Sequence, residues 1–209
     1  MKQILIQNER LARQIDFLIA VDGLKHVLRR TYLPDSDRRE NSAEHSWHLA
    51  MAALVLAEHS AAPVDVGHVL RLALVHDIVE IDAGDTFFYD AVGTLDKAER
   101  EQRAAERIFG LLPLDQAAEM RALWDEFEAR ATAEARLAYA LDRFMPLLHN
   151  YLTEGRPWRQ HGVSSEQVTA MTDHIAGGAA EVAALARDLV ADAVTRGYFD
   201  PMRNHPNAA

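Results

Sequence analysis

The chain has 209 residues, with 22 Lys and Arg against 32 Asp and Glu, for a formal net charge of −10. At 49% hydrophobic and 26% charged it is too apolar to be disordered by default, and its acidity argues against broad binding to nucleic acid or anionic membranes. The absence of cysteine excludes disulfides, zinc ribbons, iron–sulfur clusters and a thiol nucleophile.

This length predicts one domain, taken as residues 1–203 with a flexible tail over 204–209. The first twenty residues are interrupted by Asn8, Glu9, Arg10, Arg13 and Asp16, so they do not read as a signal peptide. No stretch approaches the ~18 uninterrupted apolar residues of a membrane span, and the expected location is the cytoplasm.

Helical periodicity runs almost throughout. Residues 4–19 place Ile4, Leu5, Leu11, Ile15, Leu18 and Ile19 on one face. A short helix is expected over 22–29, followed by a loop around Pro34 and its Asp/Ser cluster. Ser42 is the expected cap of a helix to His59, and a further helix is expected from Asp65 to Ile81, ended by Ala83-Gly84-Asp85. Residues 85–95 read as a loop holding Phe87, Phe88 and Tyr89. Helices are expected over 95–111, 115–130 and 132–154, the last capped by Thr132, with a loop over 155–162. The last helix starts at the Ser164-x-x-Gln167 capping box and runs to Thr195, weakened at Gly177-Gly178. No repeat and no useful alternating strand pattern is present, so the fold class is all-α.

Three segments concentrate chemistry. The first runs from Glu40 to His48. The second is His76-Asp77-Ile78-Val79-Glu80-Ile81-Asp82-Ala83-Gly84-Asp85. The third is Asp142, flanked by Leu141, Phe144 and Met145. His76 and Asp77 interrupt the apolar run Val69–Val75. A buried polar group left unpaired costs about 1–3 kcal/mol, so these groups must be paired or bound to a metal. Glu80 lies four residues beyond His76, on the same face of a helix. Two imidazoles and two carboxylates suit Mn²⁺, Fe²⁺, Co²⁺, Ni²⁺ or Zn²⁺, and suit Ca²⁺ poorly. Taken singly, each of these residues is as well read as a satisfied core or surface group.

The ordered set His45, His76-Asp77, Asp142 resembles the H…HD…D signature of the HD-domain metal-dependent phosphohydrolases. Glu44-His45-Ser46, the Glu80-x-x-x-Gly84-Asp85 extension, Leu123–Glu128 and Ala133–Arg136 are similar to the branch containing bacterial 5'-deoxynucleotidases and their eukaryotic relatives. The resemblance covers about residues 20–155. It implies a single-domain helical bundle and one divalent metal ion (Mn, Co, Fe, Ni, Zn or Mg) held by His45, His76, Asp77 and Asp142. It also implies that Glu80 orients or deprotonates the attacking water and that Asp85 is a second acidic group. The implied substrate is a (deoxy)nucleoside 5'-monophosphate. The alternatives are another small phosphorylated metabolite or nucleotide, and a metal-stabilised binding protein without turnover.

Of the basic residues ahead of His45, Arg30 and Arg39 are the chosen phosphate contacts, since a guanidinium fork matches a phosphate. In that branch an Arg-Trp pair stands before the first His. Its nearest counterpart here is Arg30-Thr31, without the aromatic ring. His48 is expected to support the site or pack rather than ligate. A homodimer is one expected assembly, and the stripe Leu114, Met120, Leu123, Phe127 fits either that interface or the core.

Overall fold

A computed structural model describes residues 7–200. The expected helix start at Ile4 and Leu5 and the tail at 204–209 lie outside them. Helix α1 (Glu9–Val21) begins where the Asn8 side chain accepts from the Leu11 amide at 3.0 Å. Of its apolar residues only Phe17 is buried, while Leu11, Leu18 and Ile19 stay exposed. Polar contacts fasten the helix instead. Arg13 donates to the carbonyls of Gly110 and Leu112 at 2.7 Å, and Arg10 makes a two-bond contact with Asp115.

The expected helix over 22–29 stops early. A 3₁₀ turn covers Asp22–His26, and an antiparallel hairpin follows, β1 (Leu28–Tyr32) against β2 (Arg39–Asn41). Five residues facing three, with an irregular register, leave too short a period for alternation to be read from sequence. Helix α2 (Ser42–Leu56) is capped by Asn41, not Ser42. The Asn41 side chain accepts from the Glu44 amide at 3.0 Å, and the Glu44 carboxylate accepts from the Asn41 amide at 3.2 Å.

Helix α3 (Val66–Val75) starts on an Asp65 cap and does not continue to Ile81. Residues 76–79 wind more tightly, with amides of Ile78, Glu80 and Ile81 bonding three residues back, before the single turn α4 (Glu80–Ala83). Gly84, at φ +76, closes it in a conformation that favours glycine. Helices α5 (Lys97–Phe109) and α6 (Leu114–Ala129) flank Pro113.

Helix α7 (Ala133–Leu152) is the central element. It packs against α2, α3, α6, α9 and α10. Thr132 caps it as expected, and Pro146 sits inside it. The loop expected over 155–162 contains the short helix α8 (Arg156–Gln160), with Trp158 buried beneath it against Phe199. The last expected helix is two. Helix α9 (Ser165–Ala176) starts at the Ser164–Gln167 capping box, and α10 (Ala180–Thr195) follows the Gly177-Gly178-Ala179 break.

Leu123 and Phe127 enter one contiguous core with Leu49, Leu72, Leu141 and Val168, and Met120 packs against it, so this part of the α6 stripe faces inward, while Leu114 at the helix start is exposed. The structure is all-α apart from the hairpin. No helix among the described residues is long and apolar enough to cross a membrane.

Candidate metal centre and its cavity

His45 comes from α2, His76 and Asp77 from the tight turn after α3, and Asp142 from the middle of α7. All four are buried. His45 Nε2 lies 2.9 Å from Asp142 Oδ1, and His76 Nε2 lies 3.7 Å from the same oxygen and 3.0 Å from Asp77 Oδ1. The donor atoms of His45, His76 and Asp142 all fall within 4.8 Å of one another. The structure thus brings together the four residues that the resemblance implied as ligands.

The His76 ring is fixed by its other nitrogen. Nδ1 sits 2.9 Å from the Ala73 carbonyl, an acceptor, so Nδ1 carries a proton and Nε2 is the nitrogen turned to the carboxylates. That Nε2 is buried and, despite the nearby carboxylates, has no partner aligned for a hydrogen bond. Such an atom fits a metal ligand.

The electrostatics agree. Burial opposes a charge on His76, but Asp77 and Asp142 outweigh it and push the imidazole up to about 10. Burial likewise opposes charge on Asp142, yet Arg143 and the two imidazoles hold it well below the carboxylate range. The pocket draws positive charge strongly enough to overcome desolvation, and its N and O donors fit a divalent ion of intermediate hardness.

Glu80 and Asp85 stand beside this cluster. Ser42 donates to Glu80 Oε2 at 2.7 Å. Burial lifts Glu80 well above the ordinary carboxyl value, with Asp77 and Asp85 adding to it and Arg29 opposing. Burial also raises Asp85, against the pull of Arg29. The turn over 76–79 removes the continuous helix on which Glu80 was read as one turn beyond His76. The side chain still reaches the same pocket from α4.

The basic residues are arranged differently from the sequence expectation. Arg29 enters the cluster. It donates to Asp77 Oδ2 at 2.9 Å and lies 3.7 Å from Asp85, 3.8 Å from Glu40 and 3.9 Å from Asp142. Arg30 lines the rim of the cavity, and Arg39 does not line it. Arg39 lies 5.9 Å from the centre of the Tyr32 ring, and Arg156 lies over the same ring at 3.8 Å. Tyr32, one residue beyond the position where an aromatic ring was sought, does not line the cavity.

Thr31 and Arg29 both reach Glu40, with Thr31 Oγ1 donating at 3.0 Å. Seeing 28–32 as a strand was the missing signal, because period two sets Arg29 and Thr31 on one face. Arg143 was also missed. It donates to Asp142 Oδ2 at 2.6 Å and lies against the rings of Phe88 and Tyr139.

His76, Asp77 and Asp142, with Glu80 and Asp85, line a cavity of about 290 Å³. Phe88, Tyr89 and Tyr139 give it apolar walls, and Lys97, Glu128 and Pro146 complete the lining. The aromatic loop after α4 is therefore wall of the cavity. Trp124 is core, as expected. His59 and His68 pair with Glu181 and Glu126 away from the site.

The HD-domain family profile matches residues 21–183. The chain is 54% identical to a predicted metal-dependent phosphohydrolase from Magnetospirillum magnetotacticum, whose crystal structure superposes with a TM-score of 0.89 over 95% of this chain and 100% of that one. It is 33% identical over 130 residues to human 5'-deoxynucleotidase HDDC2, covering 62% of each chain, and 32% identical over 149 residues to the Danio rerio protein of the same name, covering 69% of this chain and 73% of that one. The chain thus spans less than two thirds of the length of the human relative. With four candidate ligands placed together in the order of the signature, and the profile matching well over half of its length, the chain belongs to the HD-domain family.

Proposed function

We propose that the protein is a metal-dependent phosphohydrolase that releases phosphate from (deoxy)nucleoside 5'-monophosphates in the cytoplasm. The observation that carries the reading is the buried His45/His76/Asp77/Asp142 cluster, opening on a cavity with aromatic walls beside an elevated carboxyl at Glu80. The names of the M. magnetotacticum and HDDC2 relatives support it.

In this reading His45, His76, Asp77 and Asp142 hold one divalent ion. Its identity lies among Mn, Co, Fe, Ni, Zn and Mg. When bound, such an ion lowers the pKa of water and polarises a phosphoryl oxygen. Glu80, kept in place by Ser42, takes a proton from the attacking water as its oxygen bonds to phosphorus. The ester P–O bond breaks, and Asp85 returns a proton to the leaving sugar oxygen. Burial raises both carboxyls above the ordinary carboxylate value, which favours holding and passing a proton. Arg29 holds the non-bridging phosphate oxygens with its two-nitrogen fork, and Arg30 at the rim is a weaker contact. Arg39 has no such role. Phe88, Tyr89 and Tyr139 offer faces for a nucleobase.

A homodimer belongs to the same proposal, with its contact placed on α2. Helix α2 leaves Trp47, Met51, Leu54 and Val55 exposed at helical spacing, and a second copy would cover them.

The test is phosphate release from a panel of 5'- and 3'-monophosphates, nucleoside triphosphates and sugar phosphates, with metal-stripped protein and each metal added back. Metal-dependent release from 5'-monophosphates that falls in Glu80→Gln supports the reading. Release from a different class only would leave the phosphohydrolase and replace the substrate. Metal binding with no release from any compound would leave a binding protein.

A further inference from the structure

A second group of metal-ligating side chains lies next to His45, and none of its members lines the cavity. Glu40 of β2, His48 of α2 and His149 of α7 place one donor atom each within 4.8 Å of one another. The arrangement repeats the first cluster on the same two helices. His48 stands three residues after His45 on α2, and His149 stands two turns after Asp142 on α7, about 10 Å along the helix axis. Glu40 lies between the clusters. Its Oε2 is 3.7 Å from His45 Nδ1, and its Oε1 is 3.6 Å from His149 Nδ1.

From these contacts we propose that Glu40, His48 and His149 bind a divalent transition-metal ion, Zn²⁺ by their donor chemistry, at a site distinct from the HD centre. The lone His149 Nδ1 is the observation that favours an ion over a hydrogen bond. His149 is only 4% exposed, and its Nδ1 is buried with no hydrogen-bond partner. Its distance of 3.6 Å from the carboxylate is too long for a hydrogen bond. Ligands at 2.0–2.1 Å from a tetrahedral zinc stand about 3.3–3.4 Å from each other, close to that spacing.

The two imidazoles face each other at 5.3 Å between ring centres, and with a carboxylate they make the two-His, one-carboxylate set that leaves a fourth position for water. Access exists, because His48 is half-buried and opens on a shallow surface depression lined by Leu33, Pro34, Trp47 and Leu152. Thr31 fixes Glu40 by donating to Oε2, which leaves Oε1 turned toward His149. This holds for the metal-free state of either centre and does not depend on the reaction proposed above.

The test counts zinc. Metal-stripped protein is dialysed against Zn²⁺ buffered at micromolar free concentration, and bound metal is measured by elemental analysis. Wild type should take up a second equivalent that Asp142→Asn retains and His48→Gln loses. His48 is half-buried, so the Gln variant should fold, and far-ultraviolet circular dichroism checks it. His149→Gln should lose the same equivalent. Loading with Co²⁺ should add a visible absorption band that His48→Gln removes and Asp142→Asn keeps. A single equivalent in wild type that His48→Gln leaves in place overturns the proposal, as do two equivalents that survive both His48→Gln and His149→Gln.

Discussion

Gly177 and Gly178 are neighbours in sequence and should respond to alanine in opposite ways. Gly177 has φ −66 and ψ −21, ordinary helical values, and a Cβ added there meets nothing within 4 Å. Alanine should act only through the unfolded chain and stabilise by about 0.4–1 kcal/mol. A Cβ on Gly178 would stand 2.1 Å from the Arg136 carbonyl oxygen and 2.8 Å from Ala140 Cβ, both on α7. The first is helix backbone and cannot rotate away, so the α9–α10 link or α7 must move. Overpacking of this kind costs about 1–3 kcal/mol or more.

At about 2–4 °C per kcal/mol for a chain of this size, Gly177→Ala should raise Tm by about 1–4 °C and Gly178→Ala should lower it by about 2–12 °C. Thermal unfolding followed by circular dichroism in chelator measures both. Gly178→Ala should also weaken metal binding, because Ala140 lies two residues before Asp142. Equal shifts, or a stabilising Gly178→Ala, would refute the close approach of this link to α7.

The site makes further predictions. Arg29→Met in chelator should lose about 3–5 kcal/mol, because it leaves buried carboxylates uncompensated, and added divalent metal should restore part of the lost Tm. Arg39→Ala, measured beside it, should leave KM unchanged. Asp85 has its carboxyl raised by burial, so ionising it weakens the fold as pH rises from the ordinary carboxylate value through its raised one. Asp85→Asn in chelator should therefore raise Tm at pH above that window, with the gain vanishing below the ordinary carboxylate value, while phosphate release falls. Trp47→Glu should shift the protein to monomer in light scattering if α2 carries the dimer contact, and an unchanged mass would remove that contact.

How much of this was legible in sequence depended on the length scale of each signal. The long helices α2, α3, α5, α6 and α7 stand out because a 3.6-residue period repeats over several turns. The caps at Thr132 and Ser164 follow from local chemistry. The hairpin was hidden because β1 and β2 are short and their pairing joins residues seven to thirteen apart. That concealment carried into the site. Without the strand, Arg30 and Arg39 looked as well placed as Arg29, and only pairing turns Arg29 and Thr31 inward. The break after Val75 was also hidden, because the apolar run continues through Ile78, Val79 and Ile81 while the backbone tightens. The exposed face of α1 is a further case, since Arg10 and Arg13 hold that helix by ends and carbonyls that no hydrophobic pattern reveals. His45, His76, Asp77 and Asp142 were legible through their order along the chain. Glu40 and His149 gained meaning only when α2 and α7 were seen side by side.

The most direct test of the central claim is phosphate release from a deoxynucleoside 5'-monophosphate by metal-stripped protein, before and after one equivalent of Co²⁺ or Mn²⁺, in wild type, Asp142→Asn and Glu80→Gln. The account predicts no release without metal and release on reconstitution. It also predicts loss of metal binding and turnover in Asp142→Asn, and a fall of about 10²–10⁴-fold in Glu80→Gln with metal still bound. Metal-independent release, or full turnover in Asp142→Asn, would contradict it.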